Sequence, residues 1–229
     1  MINPYPELLS NDIIERAKKL SVATLCDGMG ELGIINSGAM DAGIKPLHDD
    51  MVVAGTAMTV QTHNGDNLPI HLATFTCKQD GYVIVVDGKG FKERAMVGEL
   101  MAGAAKATGY KGIIIDGYSR DKKECIELDF PIFSRGLMPA KPERKDKGIL
   151  NGSIYCGGVP VEPGDLIVGD CDGVCVVPKA HILATLEKAE KKKAYEDGRA
   201  KTIADYAKAK AEGAPLPELA PEWAKQFLS

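Results

Sequence analysis

Two apolar runs that flank one Ala-rich segment constrain the fold of this chain more than any other feature. YVIVVDG at 82–88 and GIIIDG at 112–117 are rich in Val and Ile and end in Asp-Gly, as buried strands often do. Between them, Ala95 to Thr108 is rich in Ala, Met, Leu and Lys and is followed by Gly109, which predicts a helix. The order strand, helix, strand therefore predicts an α/β fold.

The segments on either side of this unit predict more strands and two short helices. Ile13 to Leu20 and Val22 to Met29 have the composition and start signals of helices. Further β-branched runs lie at 52–62, 131–136 and 165–178. From Phe130 to Pro178 the runs are short and are separated by Gly-Gly and Pro-Gly turns, which predicts a β-rich layer beside the α/β unit.

The composition changes abruptly after Pro178. A long, charged, Ala-rich run begins at HILATLEKAEKKKAYED and predicts a helix, and the Pro-rich stretch PLPELAPEW follows it. We therefore expect an α/β domain over residues 1–178 and a helical extension over residues 179–229. The simplest interpretation of the charged run is a solvated helix face.

The charge and the hydropathy pattern exclude several classes of partner. The net charge of -4 argues against nucleic acid, because phosphate binding is usually carried by a strongly basic surface. No segment has 18 consecutive apolar residues, and the N-terminus lacks the apolar stretch of a signal peptide, so we expect a cytoplasmic protein with no membrane partner. The six cysteines have neither a CxxC pair nor zinc-finger spacing, which predicts reduced, mostly buried thiols.

The segment GELMAGAAKATGYKGIIIDGYSRD at 98–121 is the strongest candidate for a functional site. Its helix and the strand that follows are similar in length, so the start of the helix and the end of the strand fall at the same edge of the sheet. Glu99 and the pair Arg120-Asp121 should therefore be neighbours. In open α/β sheets this edge is where ligands bind.

These residue types suit a small carboxylate and a divalent metal ion. The first-turn N–H groups of Leu100 and Met101 are unpaired donors at the positive end of a helix. Arg120 offers a planar fork that binds a carboxylate through two hydrogen bonds, while Glu99 and Asp121 provide the hard oxygen ligands that Mg²⁺ and Mn²⁺ prefer. The pattern predicts a 2-oxo acid chelated to a metal, but a capping Glu beside a surface Arg-Asp pair explains the local sequence equally well.

Three weaker features surround this segment. His63 and His71 lie eight residues apart in THNGDNLPIH at 62–71, which is a poor spacing for metal ligands. The turn residues between them favour a loop that closes over the site or lines a subunit contact. Asp87 and Gly88 follow a buried strand and are candidates to line the pocket. The sequence has no dinucleotide fingerprint, phosphate-binding loop, GxSxG or HExxH motif.

The segment 98–121 resembles the signature of the 4-hydroxy-4-methyl-2-oxoglutarate aldolase and ribonuclease E regulator A family. That signature is an acidic residue, twenty intervening residues and Arg-Asp, which Glu99 and Arg120-Asp121 match. The resemblance continues through GDNLPIH, VIVVDGKG, FPIFSRGLMP and CGGVPVEPGDLIVGDCDGVCVVP and covers most of residues 20–178. It implies an α/β, swivelling β/β/α sandwich with an appended C-terminal helical tail, assembled as a homotrimer or homohexamer with sites at subunit interfaces.

The resemblance also implies a role for each residue of the segment. Arg120 binds the carboxylate of the 2-oxo acid, Asp121 ligates Mg²⁺ or Mn²⁺, and Glu99 holds a metal-bound water. Many members of the family have Asp where this chain has Glu99, so the metal geometry is expected to differ slightly. The backbone that donates hydrogen bonds to the substrate is the turn formed by Gly98, Glu99, Leu100 and Met101.

The C-terminal helix favours the aldolase branch of the family, since the regulator branch generally lacks it. In the aldolases this helix packs on a neighbouring subunit and sends a Glu into its metal site. Glu190 is the first candidate for that Glu, and Glu187 is the second. The alternative is that this part of the helix is simply solvated and contributes no ligand.

The expected function is that of a divalent-metal-dependent class II aldolase and decarboxylase. It would cleave 4-hydroxy-2-oxo acids such as 4-hydroxy-4-methyl-2-oxoglutarate or 4-carboxy-4-hydroxy-2-oxoadipate, and oxaloacetate, to give pyruvate through a metal-stabilised enolate. The alternative is a non-catalytic regulator that binds ribonuclease E or a related partner.

A methyltransferase of menaquinone synthesis is disfavoured because the N-terminus lacks a Gly-rich strand-loop-helix for the methyl donor. The candidates for contacts beyond the pyruvyl group are Arg135, Arg144, Lys141 and His63.

Overall fold

A computed structural model describes residues 1–77 and 79–228, and for Ile35 it describes the backbone alone. The strands in this range are β1 Lys45–Pro46, β2 Val53–Gln61, β3 Tyr82–Val97, β4 Gly112–Ser119, β5 Ile132–Leu137, β6 Ile149–Leu150, β7 Ile154–Cys156, β8 Val159–Val161, β9 Leu166–Asp170 and β10 Gly173–Val177. The α-helices are α1 Asn11–Ala17, α2 Val22–Gly30, α3 Leu68–Thr76, α4 Glu99–Ala107, α5 Lys122–Glu127, α6 Ile182–Glu212 and α7 Glu222–Lys225.

The large sheet is parallel at its centre. Its strand order is β1-β5-β4-β3-β2-β9-β10, with β6 paired to β2. Strands β2 to β5 run parallel to one another, whereas β1, β6, β9 and β10 are antiparallel to their neighbours. Helices α3, α4 and α5 make the crossovers between successive parallel strands, as parallel pairing requires. This topology confirms the predicted α/β fold.

Alternate side chains of the central strands face two different cores. On β3, Ile84 and Val86 pack in the core that α3 and α4 cover, whereas Val83 and Val85 pack in the core that contains the β7-β8 hairpin. A third cluster joins β9 and β10 to α1, α2 and the start of α6. The sheet is therefore covered by helices on one face and by the β7-β8 hairpin on the other. The short strands predicted for residues 130–178 are present, but only β7 and β8 form a separate layer, because β5, β6, β9 and β10 belong to the large sheet.

The helix predicted over Ala95 to Thr108 begins at Glu99 instead. Residues 95–97 are buried in the last part of β3, where Ala95 pairs with Tyr118 of β4. Alanine favours a helix only by a few tenths of a kcal/mol over most residues, and burial in a strand ladder outweighs that preference.

The loop predicted over residues 62–71 is wrong from Leu68 onwards, because α3 begins there. The turn itself is present, since Asn64 and Gly65 both have positive φ angles. Pro69 lies in the first turn of α3, where a missing N–H costs no helical hydrogen bond. The turn residues therefore mark the entry to a helix, and this places His71 on a helix.

The predicted C-terminal helix is confirmed as α6, and its first turns pack on α2 of the same chain. Its buried side chains in the described range are Ile182, Thr185, Leu186 and Ala189. The packing on a neighbouring subunit stays a prediction. Among the residues described, no helix combines the length and the apolar character needed to cross a bilayer.

Gly28 in α2 is predicted to set the approach of α6. A Cβ at Gly28 would lie 3.0 Å from the carbonyl oxygen of Thr185 and 3.2 Å from the backbone N of Ala189, so Gly28→Val must push the helices apart. We expect a loss of about 1–3 kcal/mol in the free energy of unfolding, measured by urea denaturation. Gly198→Ala in the exposed part of α6 is the control and should be neutral or slightly stabilising, because a Cβ there meets nothing within 4 Å. Equal stability of Gly28→Val and wild type would contradict close α2–α6 packing.

Candidate active site

The turns that follow β3 and β4 meet at one edge of the sheet. The Arg120 N–H, just after β4, donates to the Val97 carbonyl at the end of β3 over 2.9 Å. The Glu99 N–H donates to Asp121 Oδ2 over 3.3 Å. The structure therefore places Glu99, Arg120 and Asp121 together, as their spacing in the sequence predicts.

Asp121 adopts a backbone conformation that turns its carboxylate toward α4. Its φ and ψ angles are 57° and 43°, a left-handed conformation that Asp and Asn tolerate better than most residues. Although Asp121 occupies the N-cap position of α5, its side chain does not cap that helix. Its Oδ2 instead lies 3.4 Å from Arg120 Nε and within hydrogen-bond distance of the Glu99 N–H. The carboxylate is thus held at the N-terminus of α4.

Gly98 is required by the close approach of these two turns. A Cβ on Gly98 would overlap Asp121 Oδ2 and would lie 3.1 Å from both Cγ and Nε of Arg120. Gly98 has no side chain with which to cap α4, and of the first-turn N–H groups Asp121 accepts only that of Glu99. The N–H groups of Leu100 and Met101, also in the first turn, have no carbonyl partner in their own helix. The N-terminus of α4 therefore offers hydrogen-bond donors beside the Arg120 guanidinium.

A cavity of about 80 Å³ opens at this edge. A water molecule needs about 10–15 Å³ of such space, so the cavity can hold several waters or part of a small ligand. Arg120 and Asp121 are about two-fifths exposed here, and Leu100 is 83% exposed. The residues that line it are Asn67, His71, Ala95, Met96, Val97, Gly98, Leu100, Met101, Arg120, Asp121, Pro142 and Arg144.

One wall of the cavity comes from α3. The Asn67 amide donates from Nδ2 to the Met96 carbonyl over 3.1 Å, and His71 follows one turn later with its ring against Phe75. Burial, followed by the positive charge of Arg144, lowers the pKa of His71 below its ordinary value. His71 is therefore neutral at neutral pH.

Asp66 holds the loop that carries Arg144 against this wall. Its carboxylate accepts hydrogen bonds from three backbone N–H groups, those of Leu68 at 2.9 Å, Lys145 at 2.6 Å and Asp146 at 3.0 Å. Asp66 itself is 4% exposed. Because one buried carboxylate ties the start of α3 to the 142–146 loop, Arg144 and His71 are fixed relative to each other.

The cavity brings together the predicted substrate-binding residues and one predicted metal ligand. Gly98, Leu100, Met101 and Arg120 line it, and so does Asp121. Glu99 is beside them through its backbone N–H, but its side chain is not part of the lining.

The residues predicted to contact the substrate beyond its pyruvyl group divide into two groups. Arg144 lines the cavity, whereas His63 and Lys141 do not. Arg135 is engaged elsewhere, because its guanidinium binds the carboxylates of Asp116 and Asp41.

Two further predictions concern carboxylates outside the cavity. Asp87 is fully buried and ion-paired with Lys89, and neither Asp87 nor Gly88 lines the cavity. Glu190 forms a two-pronged ion pair with Arg16 of its own chain, with distances of 2.7 and 3.0 Å. A role for Glu190 in a neighbouring metal site therefore requires that it leave Arg16, and that role stays a prediction.

The sequence predicts that Asn67 and His71 lie in a loop that closes over the site or lines a subunit contact, and it assigns neither a specific role. The signal that could have found them is their spacing of four residues, which puts two side chains on one face of a helix. That spacing carries no information in a loop, so the wrong prediction for residues 68–71 hid their relation.

Among the described residues, the single carboxylate that lines the cavity, that of Asp121, fits a hydrated divalent ion better than a closed metal cage. In residues 1–77 and 79–228, no three His, Cys, Asp or Glu side chains are close enough to hold a metal together. Mg²⁺ usually keeps several waters and takes only one or two carboxylates from the protein. Asp121 offers one partly exposed carboxylate at the cavity and so meets that requirement, whereas Glu99 contacts it only through its backbone N–H.

The fold and the site together define an α/β protein with a guanidinium, a carboxylate and helix N-terminal amides at one edge of its sheet. Residues 22–176 match the family model described as RraA-like: Aldolase/RraA. A protein of Halalkalibacterium halodurans named "Putative 4-hydroxy-4-methyl-2-oxoglutarate aldolase" is 40% identical over 194 residues, which cover 85% of this chain and 90% of that protein. The chain belongs to the RraA-like family.

Two solved structures show how widely this fold is shared. Streptomyces coelicolor RraAS2, described as an unusual member of the RNase ES inhibitor RraA protein family, has a TM-score of 0.73 at 27% identity, over 84% of this chain and 98% of its own. A Geobacillus kaustophilus structure titled as an S-adenosylmethionine: 2-dimethylmenaquinone methyltransferase has a TM-score of 0.61 at 30% identity. The match covers 70% of this chain and 96% of that one. Both are similar to this chain in fold and differ from each other in stated function.

Asp66 is predicted to stabilise the cavity wall. Asp66→Ala leaves three backbone donors without their acceptor, so we expect the free energy of unfolding to fall by about 1–3 kcal/mol. Urea denaturation measures this loss, and amide hydrogen exchange at Lys145 and Asp146 should become faster. The exposed Asp49→Ala should change neither quantity. Unchanged exchange in Asp66→Ala would show that Asp66 does not hold this loop.

Proposed function

We propose that this protein is a divalent-metal-dependent lyase that cleaves 4-hydroxy-2-oxo acids and decarboxylates oxaloacetate, releasing pyruvate in both cases. The observation that carries the proposal is the convergence of Arg120, the N-terminal amides of α4 and Asp121 on one small cavity. Similarity to the Halalkalibacterium halodurans protein supports 4-hydroxy-4-methyl-2-oxoglutarate as a substrate to test, with 4-carboxy-4-hydroxy-2-oxoadipate beside it.

Arg120 and the start of α4 would bind the carboxylate of the 2-oxo acid. A guanidinium binds a carboxylate through two parallel hydrogen bonds, and a helix N-terminus adds backbone donors and a partial positive charge. Leu100 and Met101 belong to that first turn. These groups are fixed before the substrate arrives, so they orient the acid with little further ordering.

Asp121 would hold the metal ion directly, with Glu99 beside it as a hydrogen-bond acceptor for the ion's waters. When bound, a Mg²⁺ or Mn²⁺ ion supplies a Lewis acid that stabilises negative charge developing on the 2-oxo oxygen. Asp121 already lies next to Arg120, so its carboxylate and the site for the substrate carboxylate are adjacent. That adjacency suits a ligand whose carboxylate and oxo oxygen are on neighbouring carbons.

The remaining walls would exclude water from the reacting carbon atoms. Met96 and Met101 are buried and line the cavity beside Pro142. Charges interact more strongly in such a partly dehydrated site than in bulk water. Arg120 would offset the charge that accumulates on the pyruvyl part as the C–C bond breaks.

We also propose that the site is completed in a homotrimer or homohexamer. Leu100 is a large apolar side chain that is 83% exposed at the rim of the cavity, where a neighbouring subunit would cover it. Much of α6 is likewise exposed beyond its first turns and is available to a neighbour.

Regulatory binding to a ribonuclease is the second candidate, and the similarity to RraAS2 supports it. It requires no turnover, so a pull-down with ribonuclease E and an assay for pyruvate separate the two functions.

A methyltransferase has less support, because in the described residues α1 and α2 precede the first strand of the sheet, where a methyl-donor site would need a strand, a Gly-rich loop and a helix. Tight binding of S-adenosylmethionine would reverse that judgement.

The proposed activity predicts metal-dependent release of pyruvate from oxaloacetate and from 4-hydroxy-4-methyl-2-oxoglutarate. Arg120→Ala and Asp121→Asn should each lower kcat/KM by roughly 10²-fold or more, since each removes a group that stabilises developing charge. Asn keeps the left-handed backbone of position 121, and Asp129→Asn, at another left-handed Asp outside the cavity, is the matched control. Excess EDTA should abolish turnover. A folded, metal-loaded oligomer that releases no pyruvate above the metal-only background would refute the lyase.

Gly98→Ala should impair the same reactions without unfolding the protein. Its Cβ displaces the Asp121 carboxylate and Arg120, and an ångström of misplacement in a reacting group can cost about 10²-fold in rate. Gly103→Ala, in the same helix, is the control because its Cβ would make only ordinary contacts of 3.8 Å with Leu128. Steady-state kinetics and circular dichroism measure the two effects. Full activity of Gly98→Ala would show that the Gly98–Asp121 approach is not needed.

A further inference from the structure

We propose that Asn67 and His71 form a binding subsite for the hydroxyl group of a 4-hydroxy-2-oxo acid, on the wall of the cavity formed by α3. The inference rests on the proposed function, since it assigns the part of the substrate beyond the pyruvyl group. On this proposal Asn67 and His71 assist aldol cleavage and contribute little to decarboxylation, so they set the preference of the site between the two reactions.

Asn67 presents a buried acceptor that nothing in the described chain satisfies. The residue is 4% exposed, and its Nδ2 is occupied by the Met96 carbonyl at 3.1 Å. That hydrogen bond fixes the orientation of the amide, so the other atom, Oδ1, is left as the acceptor. Among the residues described, Oδ1 has no hydrogen-bond partner, although Asn67 lines the cavity. A buried polar atom of this kind requires an explanation, and a ligand group is one.

His71 presents a second unsatisfied atom from the same helix face. Its backbone N–H bonds to the Asn67 carbonyl at 3.1 Å, which places the two side chains one helical turn apart. His71 Nε2 is buried and has no hydrogen-bond partner in the described part of the chain. With a pKa lowered by burial and by Arg144, the ring is neutral and carries one N–H and one lone pair.

The chemistry of the two atoms selects the ligand group. The oxygen of an amide only accepts hydrogen bonds, while a neutral imidazole with Nε2 protonated donates one. A hydroxyl group both donates and accepts, so it can satisfy Asn67 and His71 together. A carboxylate cannot, because it places negative oxygen against the Asn67 oxygen. The subsite therefore favours a substrate with a hydroxyl over one with a second carboxylate at that position.

The position of the subsite matches the proposed substrates. Asn67 and His71 line the same 80 Å³ cavity as Gly98 and Arg120. A cavity this small brings both walls within reach of one small acid. Cleavage of a 4-hydroxy-2-oxo acid uses a hydroxyl on the carbon that becomes a carbonyl, whereas decarboxylation of oxaloacetate involves no hydroxyl. The two reactions should therefore depend differently on the pair.

The test compares both reactions in variants of His71. His71→Phe removes the ring nitrogens while it keeps an aromatic ring against Phe75, and His71→Gln restores a donor. We expect His71→Phe to lower kcat/KM for 4-hydroxy-4-methyl-2-oxoglutarate by roughly 10- to 100-fold, as loss of a buried hydrogen bond does. Oxaloacetate decarboxylation should change less than about threefold on this account. His71→Gln should recover part of the aldol activity, and His63→Phe, at the histidine outside the cavity, should change neither reaction.

Ligand binding keeps the inference testable if no turnover is found. Calorimetry measures the affinity for 4-hydroxy-2-oxoglutarate and for 2-oxoglutarate, which lacks the hydroxyl. Wild type should prefer the hydroxylated acid, and His71→Phe should lose that preference while it still binds 2-oxoglutarate. Equal losses in both reactions, or a preference that survives in His71→Phe, would overturn the subsite. Absence of pyruvate with a hydroxyl-dependent preference intact in wild type would refute the lyase and keep the subsite.

Discussion

The parallel pairing of β3 with β4 is the constraint on which the site depends. Parallel strands connected through α4 bring the end of β3 and the end of β4 to one edge, and the hydrogen bond from the Arg120 N–H to the Val97 carbonyl fastens the two turns together. The close approach that follows leaves room only for glycine at position 98. Asp121 can then turn its carboxylate toward α4 because Asp tolerates a left-handed backbone. The pairing of β3 with β4 thus places the Arg120 guanidinium, the Asp121 carboxylate and free N–H groups of α4 side by side.

The second wall depends on a different kind of contact. Asp66 joins α3 to the 142–146 loop through three backbone hydrogen bonds, although these segments are far apart in the chain. Asn67, His71 and Arg144 therefore form one unit in the lining of the cavity that also contains Arg120. Arg120 offers a charged group suited to a carboxylate, while Asn67 and His71 add neutral polar atoms suited to a hydroxyl, and recognition of a hydroxylated 2-oxo acid requires both.

Local patterns in the sequence predict the first wall and not the second. The proximity of Glu99 to Arg120 and Asp121 follows from one strand, one helix and one strand, all contiguous in the chain. The sequence mispredicts the end of β3, because Ala95 has a helical preference that pairing with Tyr118 overrides. The second wall requires contacts between residues about eighty positions apart, such as Asp66 with Lys145, and no local pattern encodes them. The pairing of Glu190 with Arg16 is invisible in the sequence for the same reason.

The lyase proposal requires that Arg120, the start of α4 and a metal held by Asp121 bind one planar 2-oxo acid together. Calorimetric titration with oxalate, a flat mimic of the pyruvate enolate, measures this binding without any turnover. We expect oxalate to bind in the presence of Mg²⁺ or Mn²⁺, excess EDTA to abolish binding, and Arg120→Ala to weaken it by roughly 10²-fold, as loss of a charge-assisted pair does. Oxalate binding that is equally tight with EDTA, or unaffected by Arg120→Ala, would contradict joint binding by Arg120 and the metal.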